Sequence, residues 1–327
     1  MSLSEFTLLR PRELAEALGM LEAHAGAARI LAGGTDLLPS MRQKLFEPAY
    51  LLDLRRLTGL TGIRETDEGI EIGALTTLSE IEHSSLVQER CPLLADAART
   101  VASPVIRNMA TVGGNICLDT RCLWYNQSFA WRKSCGFCIK KDGDLCHVAP
   151  GGAKCWATFS GDTPPALLCL EAQVGISSAS ETRRVPIGEF YTGEGDNYRK
   201  LRSNELLTKV ILPRSSWGYR GIYSKLRIRG SIDYPLAGVA VAIKRSNHYI
   251  EDVKIALTAV FPAPVLVAGL DPSPSNVNLD ELAADYAGQL AARAAKPLTT
   301  SALTPEYRRE MVRVFTKRAL LALTAGP

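Results

Sequence analysis

The sequence lacks the features of membrane, secreted and nucleic-acid-binding proteins. None of its apolar runs approaches the roughly 20 residues that a membrane-spanning helix needs. The N-terminal segment carries acidic residues early and has no apolar stretch, which predicts that there is no signal peptide. Its 38 Lys and Arg residues are interleaved with 34 Asp and Glu residues, so no basic stripe for a nucleic acid is present. We therefore expect a cytoplasmic protein that binds neither membranes nor nucleic acids.

Several common signatures of enzymes are also absent. The chain has no GxGxxG motif, which excludes the dinucleotide fingerprint of a doubly wound NAD domain. Its four histidines are scattered and form no catalytic pattern. Eight cysteines in 327 residues are too few for a small disulfide-rich scaffold. Cysteines that cluster in a reducing compartment are more often metal ligands or redox groups.

The opening of the chain alternates between helical and strand patterns. Residues 11–22 have the apolar spacing of an amphipathic helix, residues 28–32 form a short apolar strand, and residues 36–44 predict another helix. This order is typical of a nucleotide-binding α/β unit. Residues 213–219 have the composition of a linker, so we expect a first domain over residues 1–215 and a second over residues 216–327.

The second domain has α+β patterning. Residues 223–227, 238–244 and 253–260 predict strands. The last helix is well signalled, because Thr304 is a suitable N-cap and Pro305 suits the first turn.

Two glycine-bearing turns lie roughly 80 residues apart in the first domain. The first, Ala32-Gly33-Gly34-Thr35-Asp36, lies between a predicted strand and a predicted helix. The second, Thr111-Val112-Gly113-Gly114-Asn115, has a similar pair of glycines. Glycines let backbone amides approach a phosphate closely. Two such turns could bind the two ends of a pyrophosphate, and Asn115 could add a side-chain hydrogen bond. The pair favours a flavin site.

Residues 118–158 differ from the rest of the chain. The segment holds five of the eight cysteines and three of the four tryptophans, and it shows neither helical nor strand periodicity. So long an irregular segment within a domain requires a function or a cross-link. A metal held by clustered thiolates would supply the cross-link.

Five segments of the sequence form a recognisable set, namely ILAGGTDLLP, IGALTTL, VASPVIRNMATVGGNI, SGDTPPALL and YSKLRIR. Together they resemble the FAD-binding medium subunit of the molybdenum hydroxylases, the family of xanthine dehydrogenase. The resemblance implies an α+β chain with an FAD-binding domain of the vanillyl-alcohol-oxidase/xanthine-dehydrogenase type, built from two α/β subdomains. It further implies an iron–sulfur loop insertion over residues 118–158 and a smaller C-terminal α+β domain.

The resemblance also assigns the residues that bind FAD. Asp162 would lie near the flavin-binding face and Lys225 near the isoalloxazine, although a helix cap and an exposed strand lysine are the plainer interpretations of these two. The full set of implied FAD-binding residues is Leu31, Ala32, Gly33, Gly34, Thr35, Asp36, Leu37, Thr111, Gly113, Gly114, Asn115, Asp162 and Lys225.

The insertion resembles that of the 4-hydroxybenzoyl-CoA reductase flavin subunit, which implies one 4Fe–4S cluster. The matching ligands are Cys122, Cys138, Cys146 and Cys155, separated by 15, seven and eight residues. These gaps suit a loop around a cluster better than the paired CxxC spacing of a zinc site, although zinc remains an alternative. Cys135 forms a CxxC with Cys138, so either could be the ligand, and the resemblance favours Cys138.

The resemblance implies an electron-transfer subunit whose partners carry the substrate chemistry. The expected partners are a large molybdenum-cofactor subunit and a small 2Fe–2S subunit, assembled as a dimer of heterotrimers. A reductase of the 4-hydroxybenzoyl-CoA type would remove a phenolic hydroxyl with electrons from ferredoxin. The alternatives are the flavin subunit of an oxidative molybdenum hydroxylase, a stand-alone flavin oxidoreductase and a zinc-stabilised adaptor.

Overall fold

The chain forms three separate β-sheets in a computed structural model that describes residues 3–246, 249–270 and 280–325. The strands are β1 (Thr7–Leu9), β2 (Ala28–Leu31), β3 (Tyr50–Asp53), β4 (Ile63–Thr66), β5 (Gly69–Gly73), β6 (Gln173–Ser177), β7 (Thr182–Pro186), β8 (Leu206–Pro213), β9 (Tyr219–Leu226), β10 (Ala237–Ser246), β11 (Tyr249–Thr258) and β12 (Val265–Leu266). The helices are α1 (Leu14–Ala23), α2 (Leu37–Arg42), α3 (Leu78–His83), α4 (Ser85–Arg90), α5 (Pro92–Arg99), α6 (Pro104–Arg107), α7 (Val112–Ile116), α8 (Phe129–Ser134), α9 (Thr163–Cys169), α10 (Ile187–Phe190), α11 (Glu281–Ala294) and α12 (Pro305–Ala325).

The first subdomain is the α/β unit that the sequence predicts. Its strands pair in parallel in the order β1-β3-β2. Leu18 and Leu21 of α1 are buried with Leu52 of β3, as the amphipathic pattern of residues 11–22 requires. The turn after β2 leads directly into α2, so that the first glycine turn lies at the carboxyl end of a parallel strand.

The second subdomain contains an antiparallel sheet in the order β4-β5-β8-β6-β7. Helices α3 to α7 connect β5 to the insertion, and α9 follows the insertion. Together with α9 and α5 this sheet forms the largest apolar cluster of the described residues. The second glycine turn opens α7, where Thr111 caps the helix by accepting a hydrogen bond from the amide of Gly114.

The C-terminal domain is a sheet of order β12-β11-β10-β9 that is covered on both faces. Along β10, Val239, Val241 and Ile243 pack on the side of α11 and α12. Ala240 and Ala242 point the other way, into the core shared with the first domain. This alternation follows from the two-residue period of a strand, and it joins the two domains through a continuous apolar contact.

Several elements do not follow from the sequence pattern. The helix α8 lies within the insertion, where no periodicity is evident, because six residues are too short to show it. The helix α11 was not predicted because its buried face consists mainly of alanines, which are only weakly apolar and give little contrast with the exposed face. The prediction for the last helix is confirmed, since Thr304 Oγ1 accepts a hydrogen bond from the amide of Tyr307 at 3.2 Å. In the described ranges, no helix combines the length and apolar character needed to cross a membrane.

A buried arginine holds the C-terminal domain together. Arg308 on α12 is fully buried, and its guanidinium donates to the carbonyl oxygens of Leu236, Ala259 and Leu298 at 2.7, 2.5 and 2.8 Å. Burial lowers the pKa of Arg308 to about 10.

We expect Arg308→Met to lower the free energy of unfolding by about 3 kcal/mol, because buried carbonyl groups lose their donors. Thermal unfolding followed by circular dichroism measures the change. The matched control is Arg318→Met, which alters an exposed arginine of the same helix and should leave the midpoint unchanged. Equal midpoints for the two variants would contradict this structural role.

Candidate functional site

A cavity of about 570 Å³ opens between the two subdomains and is lined by both glycine turns. Its volume lies within the range of small-molecule and cofactor sites. Most of the FAD-binding residues implied by the sequence lie on its wall, namely Ala32, Gly33, Gly34, Thr35, Asp36, Leu37, Thr111, Gly113, Gly114, Asn115 and Asp162. Leu31 and Lys225 do not line the cavity.

The first glycine turn packs against the backbone that leads into the second turn, and the second turn packs against the backbone directly after β5. A Cβ atom on Gly33 would lie 1.9 Å from the carbonyl oxygen of Met109, and a Cβ on Gly113 would lie 2.8 Å from that of Ala74. Glycine is therefore required at both positions by close approach of backbone to backbone.

The amide groups of the two turns differ in availability. In the second turn, the amide of Gly113 donates to Ala74 O at 2.9 Å and that of Gly114 to Thr111 Oγ1 at 3.1 Å. Within the described residues, no acceptor is paired with the amides of Gly33 or Gly34. The unpaired glycine amides therefore lie in the first turn, and a contact of the second turn with a pyrophosphate stays a prediction.

Asn115 has a structural contact in addition to its place on the wall. Its carboxamide oxygen accepts hydrogen bonds from the amide and the hydroxyl of Thr163, at 3.0 and 2.7 Å. Asn115 thereby links the second glycine turn to the start of α9. Only its amino group is left for a ligand.

Asp36 joins three parts of the chain at the cavity rim. Its carboxylate forms a salt bridge with Arg121, at the start of the insertion, and accepts a hydrogen bond from the hydroxyl of Tyr234 at 3.0 Å. The Arg121 guanidinium lies over the Tyr234 ring, 4.1 Å from its centroid. Burial raises the pKa of Asp36, and Arg121 acts in the opposite direction. A C-terminal-domain loop, which includes Ile232 and Asp233, thus covers part of the cavity.

Asp162 and Lys225 form a buried ion pair. Lys225 Nζ lies 2.9 Å from Asp162 Oδ2, each side chain is only 3% exposed, and the Tyr223 hydroxyl donates to Asp162 Oδ1 at 2.7 Å. Burial raises the pKa of Asp162, while Lys225 and Tyr223 oppose this effect. Asp162 also stands at the N-cap position of α9 without capping it through its side chain. Lys225 therefore reaches the cavity only through Asp162, and it is not an exposed strand lysine.

Other cavity residues were not identified from the sequence. Asp119, Tyr198 and Arg199 line the wall. Tyr198 Oη and Arg199 Nη1 donate to the carbonyl oxygen of Cys117 at 2.9 and 2.7 Å. Asp119 Oδ2 is buried without a hydrogen-bond partner among the described residues. Asp119 follows the second glycine turn by four residues, and this proximity was the one available signal.

The cavity fits an FAD molecule. Because the glycines have no side chains, a ligand can lie directly against their backbone. The unpaired amides of Gly33 and Gly34 suit phosphate oxygens. The unpartnered oxygen of Asp119 suits a hydroxyl donor of a ribityl or ribose group. Polar groups of both kinds converge on one concave site, as cofactor sites require.

The four predicted ligand cysteines are buried and close to one another. Cys122, Cys138 and Cys155 belong to one apolar cluster. Burial raises the pKa of Cys122 to about 12, with further contributions from the other three thiols, including that of Cys146. Burial also raises the pKa of Cys155 to about 11, so a metal would be needed to stabilise Cys122 and Cys155 as thiolates.

The cysteines do not form a ready-made site for a metal ion among the described residues. Within the described ranges, no group of three or more His, Cys, Asp or Glu side chains could hold a metal ion. A single zinc ion requires each sulfur at about 2.3 Å from one point. A metal in the insertion therefore stays a prediction. Cys135 is half-buried, whereas Cys138 is buried with the cluster.

The insertion is anchored to the first subdomain by a buried arginine. Arg132 of α8 is 1% exposed, and its guanidinium donates to the carbonyl oxygen of Lys44 at 2.9 Å. Beside the cysteines, the His147 ring stacks on Trp124 with centroids 4.4 Å apart. His147 Nε2 contacts the carbonyl oxygen of Phe137 at 2.5 Å, so the ring is held in place.

Together, the fold and the cavity define an FAD-binding oxidoreductase subunit. Residues 4–215 match the family model of the FAD binding domain in molybdopterin dehydrogenase, and residues 222–323 match that of the CO dehydrogenase flavoprotein C-terminal domain. The chain belongs to the FAD-binding subunits of the molybdenum hydroxylase family.

Relatives and solved structures agree with this assignment over the whole chain. The glyceraldehyde dehydrogenase medium chain of Sulfolobus acidocaldarius is 30% identical, with 96% of this chain and 97% of the relative covered. The carbon monoxide dehydrogenase medium chain of Hydrogenophaga pseudoflava is 29% identical, with 96% of each chain covered. The structure of reconstituted CO dehydrogenase from Oligotropha carboxidovorans superposes with a TM-score of 0.81 at 27% identity, covering 99% of both chains.

The close approach of Gly33 to Met109 leads to a prediction about flavin binding. Gly33→Ala forces the first turn away from the Met109 backbone, because its Cβ would overlap Met109 O. We expect FAD affinity to fall at least about tenfold, which corresponds to roughly 1.4 kcal/mol. Fluorescence titration of the FAD-depleted chain with FAD measures the loss.

The control is Gly19→Ala in α1, where a Cβ would meet nothing within 4 Å. This variant should bind FAD normally and gain up to about 1 kcal/mol in stability from helix propensity. Unchanged FAD affinity in Gly33→Ala would contradict the assignment of this turn to the flavin site.

Proposed function

We propose that this chain is the FAD- and 4Fe–4S-binding electron-transfer subunit of a molybdenum hydroxylase complex. The observation that carries the proposal is the attachment of a buried four-cysteine insertion to the wall of the flavin cavity. Arg121, at the start of the insertion, pairs with Asp36 of the first glycine turn. Two cofactor sites that share a wall in this way are suited to exchange electrons with each other.

The residues of the chain bind and shield the cofactors, and no general base or nucleophile is assigned to the cavity. Bound FAD supplies chemistry that exchanges either one or two electrons, which connects two-electron reactants to one-electron centres. The amides of Gly33 and Gly34 would hold the pyrophosphate, and Asp119 would orient a flavin hydroxyl. The loop at Tyr234 limits access of water to this part of the cavity. Substrate chemistry is assigned to a partner subunit that carries the molybdenum cofactor.

Two observations support a cluster in the insertion in preference to a zinc ion. The four cysteines are gathered and buried, and their sequence gaps are long. A cubane cluster separates its four sulfur ligands more widely than one ion does. Leu45 and Tyr125 also surround the cysteines with apolar surface, which restricts water and affects reduction potential.

The relatives favour an oxidative complex, in which electrons leave the substrate and pass through FAD. The names of the related medium chains include glyceraldehyde, carbon monoxide and xanthine dehydrogenases. By analogy we propose a large molybdenum subunit and a small 2Fe–2S subunit as partners, in a dimer of heterotrimers in the cytoplasm. The two-domain match over 96% of the chain is the basis for the analogy.

A reductive complex of the 4-hydroxybenzoyl-CoA reductase type is the second candidate. The observation that favours it is the cysteine insertion, which could admit electrons from outside. The insertion exposes the apolar side chains of Leu123, Trp131 and Leu145. Lys133 lies on the same segment and is exposed. An apolar surface with nearby positive charge suits an acidic one-electron carrier such as a ferredoxin.

The cluster assignment predicts a selective effect of cysteine substitutions. We expect Cys146→Ser to lose the cluster and to keep FAD, because both glycine turns lie outside the insertion. Anaerobic purification with iron, sulfide, zinc and flavin analysis, and EPR spectroscopy after dithionite reduction, measures both cofactors.

Cys135→Ser is the matched control, since it alters a half-buried cysteine of the same insertion that is not assigned as a ligand. It should retain iron, sulfide and FAD. Zinc in place of iron in the unaltered protein would show a structural ion site and reject the cluster. Loss of iron in Cys135→Ser but not in Cys138→Ser would reassign that ligand.

The direction of electron flow is tested on the purified complex with each class of substrate. An oxidative complex should lose its flavin absorbance when incubated anaerobically with an aldehyde, carbon monoxide or an N-heterocycle. A reductive complex should instead release benzoyl-CoA from 4-hydroxybenzoyl-CoA when it is supplied with reduced ferredoxin. We expect the first result, and formation of benzoyl-CoA with an unresponsive flavin would support the second candidate.

A further inference from the structure

We propose that Lys140 is the residue that joins the cysteine insertion to the flavin cavity and raises the reduction potential of the cluster held by the insertion. This inference rests on the proposed function, because it concerns the potential of the proposed cluster. It assigns a positioning role to a lysine that lies between two of the cysteines in the sequence and points towards the other cofactor site.

The first observation is that the Lys140 side chain is buried with all its donors used. It is 5% exposed, although lysine is rarely buried without a partner. Its ammonium donates to Asp119 Oδ1 at 2.9 Å, to Thr120 Oγ1 at 2.6 Å and to the carbonyl oxygen of Gly195 at 2.6 Å. An ammonium has three N–H groups, so these contacts fix both its position and its orientation.

The second observation is that Lys140 lies between the two sites. Its Nζ atom is 4.8 Å from the ring centroid of Tyr125, which belongs to the cysteine cluster, and 5.5 Å from that of Tyr198, which lines the cavity. Asp119, the partner of Lys140, also lines the cavity. A single side chain thus contacts groups that belong to each cofactor site.

The third observation is that only one residue, Gly195, separates the Lys140 ammonium from a cysteine sulfur in space. Gly195, whose carbonyl accepts from Lys140, donates its amide to Cys155 O at 2.9 Å. A Cβ on Gly195 would lie 2.8 Å from Cys155 Sγ, so the glycine backbone packs directly against the sulfur. The ammonium therefore lies just behind the glycine that contacts the ligand atom.

A fixed positive charge in this place favours the reduced cluster. Reduction adds one electron and one unit of negative charge to the cluster, and a nearby cation stabilises that charge. The interaction is stronger in a buried, low-dielectric site than in water. Hydrogen bonding, charge and solvent exposure are the factors by which a protein adjusts cluster potentials. Asp119 acts in the opposite sense, and its second oxygen has no partner among the described residues.

The test is a redox titration of the anaerobically purified complex, in which the EPR signal of the reduced 4Fe–4S cluster is measured at each potential. We expect Lys140→Met to lower the ratio of reduced to oxidised cluster at least tenfold at a fixed ambient potential. That change corresponds to about 59 mV for a one-electron couple. Lys140→Arg keeps the charge and should restore most of the potential.

Lys141→Met is the matched control, because Lys141 is the next residue, is 36% exposed and pairs with Asp142 at the surface. Its removal should leave the cluster potential unchanged, since solvent screens an exposed charge. Equal potentials for Lys140→Met and Lys141→Met would overturn the proposal.

Asp119→Asn separates an electrostatic role from a merely structural one. Removing the negative partner should raise the cluster potential, opposite in sign to Lys140→Met. Shifts of the same sign in both variants would mean that the pair only holds the insertion in place, which overturns the proposal. If Lys140→Met fails to assemble a cluster, Asp119→Asn alone tests the proposal. A raised cluster potential in that variant supports the proposal, and a lowered potential overturns it. A complete absence of cluster from the unaltered complex would instead reject the proposed function itself.

Discussion

The arrangement of the molecule depends on the close contact between the first glycine turn and the segment that leads into the second. Gly33 lies so close to Met109 that no side chain fits between them, and this contact fixes the parallel first subdomain against the antiparallel second one. The cavity is lined by both turns, by Asp162 at the start of α9 and by Tyr234 of the C-terminal domain.

Charged side chains, more than an apolar core, attach the cysteine insertion to the rest of the first domain. Its apolar cluster is small and includes the cysteines themselves. Arg121 pairs with Asp36, Arg132 donates to Lys44 O, and Lys140 donates to Gly195 O, so each anchor crosses from the insertion to the rest of the first domain. Such buried polar contacts are costly to break, because each leaves a charge without its partner. A metal cluster would add the covalent cross-links that so irregular a segment needs.

The C-terminal domain contributes to the same site from a distance. Its sheet is buried on both faces, and the face that carries Ala240 and Ala242 shares a core with the first domain. This continuous packing brings Tyr234 over the cavity and Lys225 behind Asp162. The two domains matched by the family models therefore act as one flavin-binding unit.

The sequence by itself determined the family, the α/β opening, the glycine turns and the last helix, because these depend on local residue order and on short-range spacing. Most of the FAD-binding residues that it predicts line the cavity, and their role in binding FAD stays a prediction. Only the tertiary structure decided which turn keeps unpaired amides, that Lys225 is paired with Asp162, and that Asp119, Tyr198 and Lys140 lie together. These facts arise from contacts between residues far apart in the chain. No local pattern encodes such contacts, since they follow from how the sheets, the insertion and the helices pack in space.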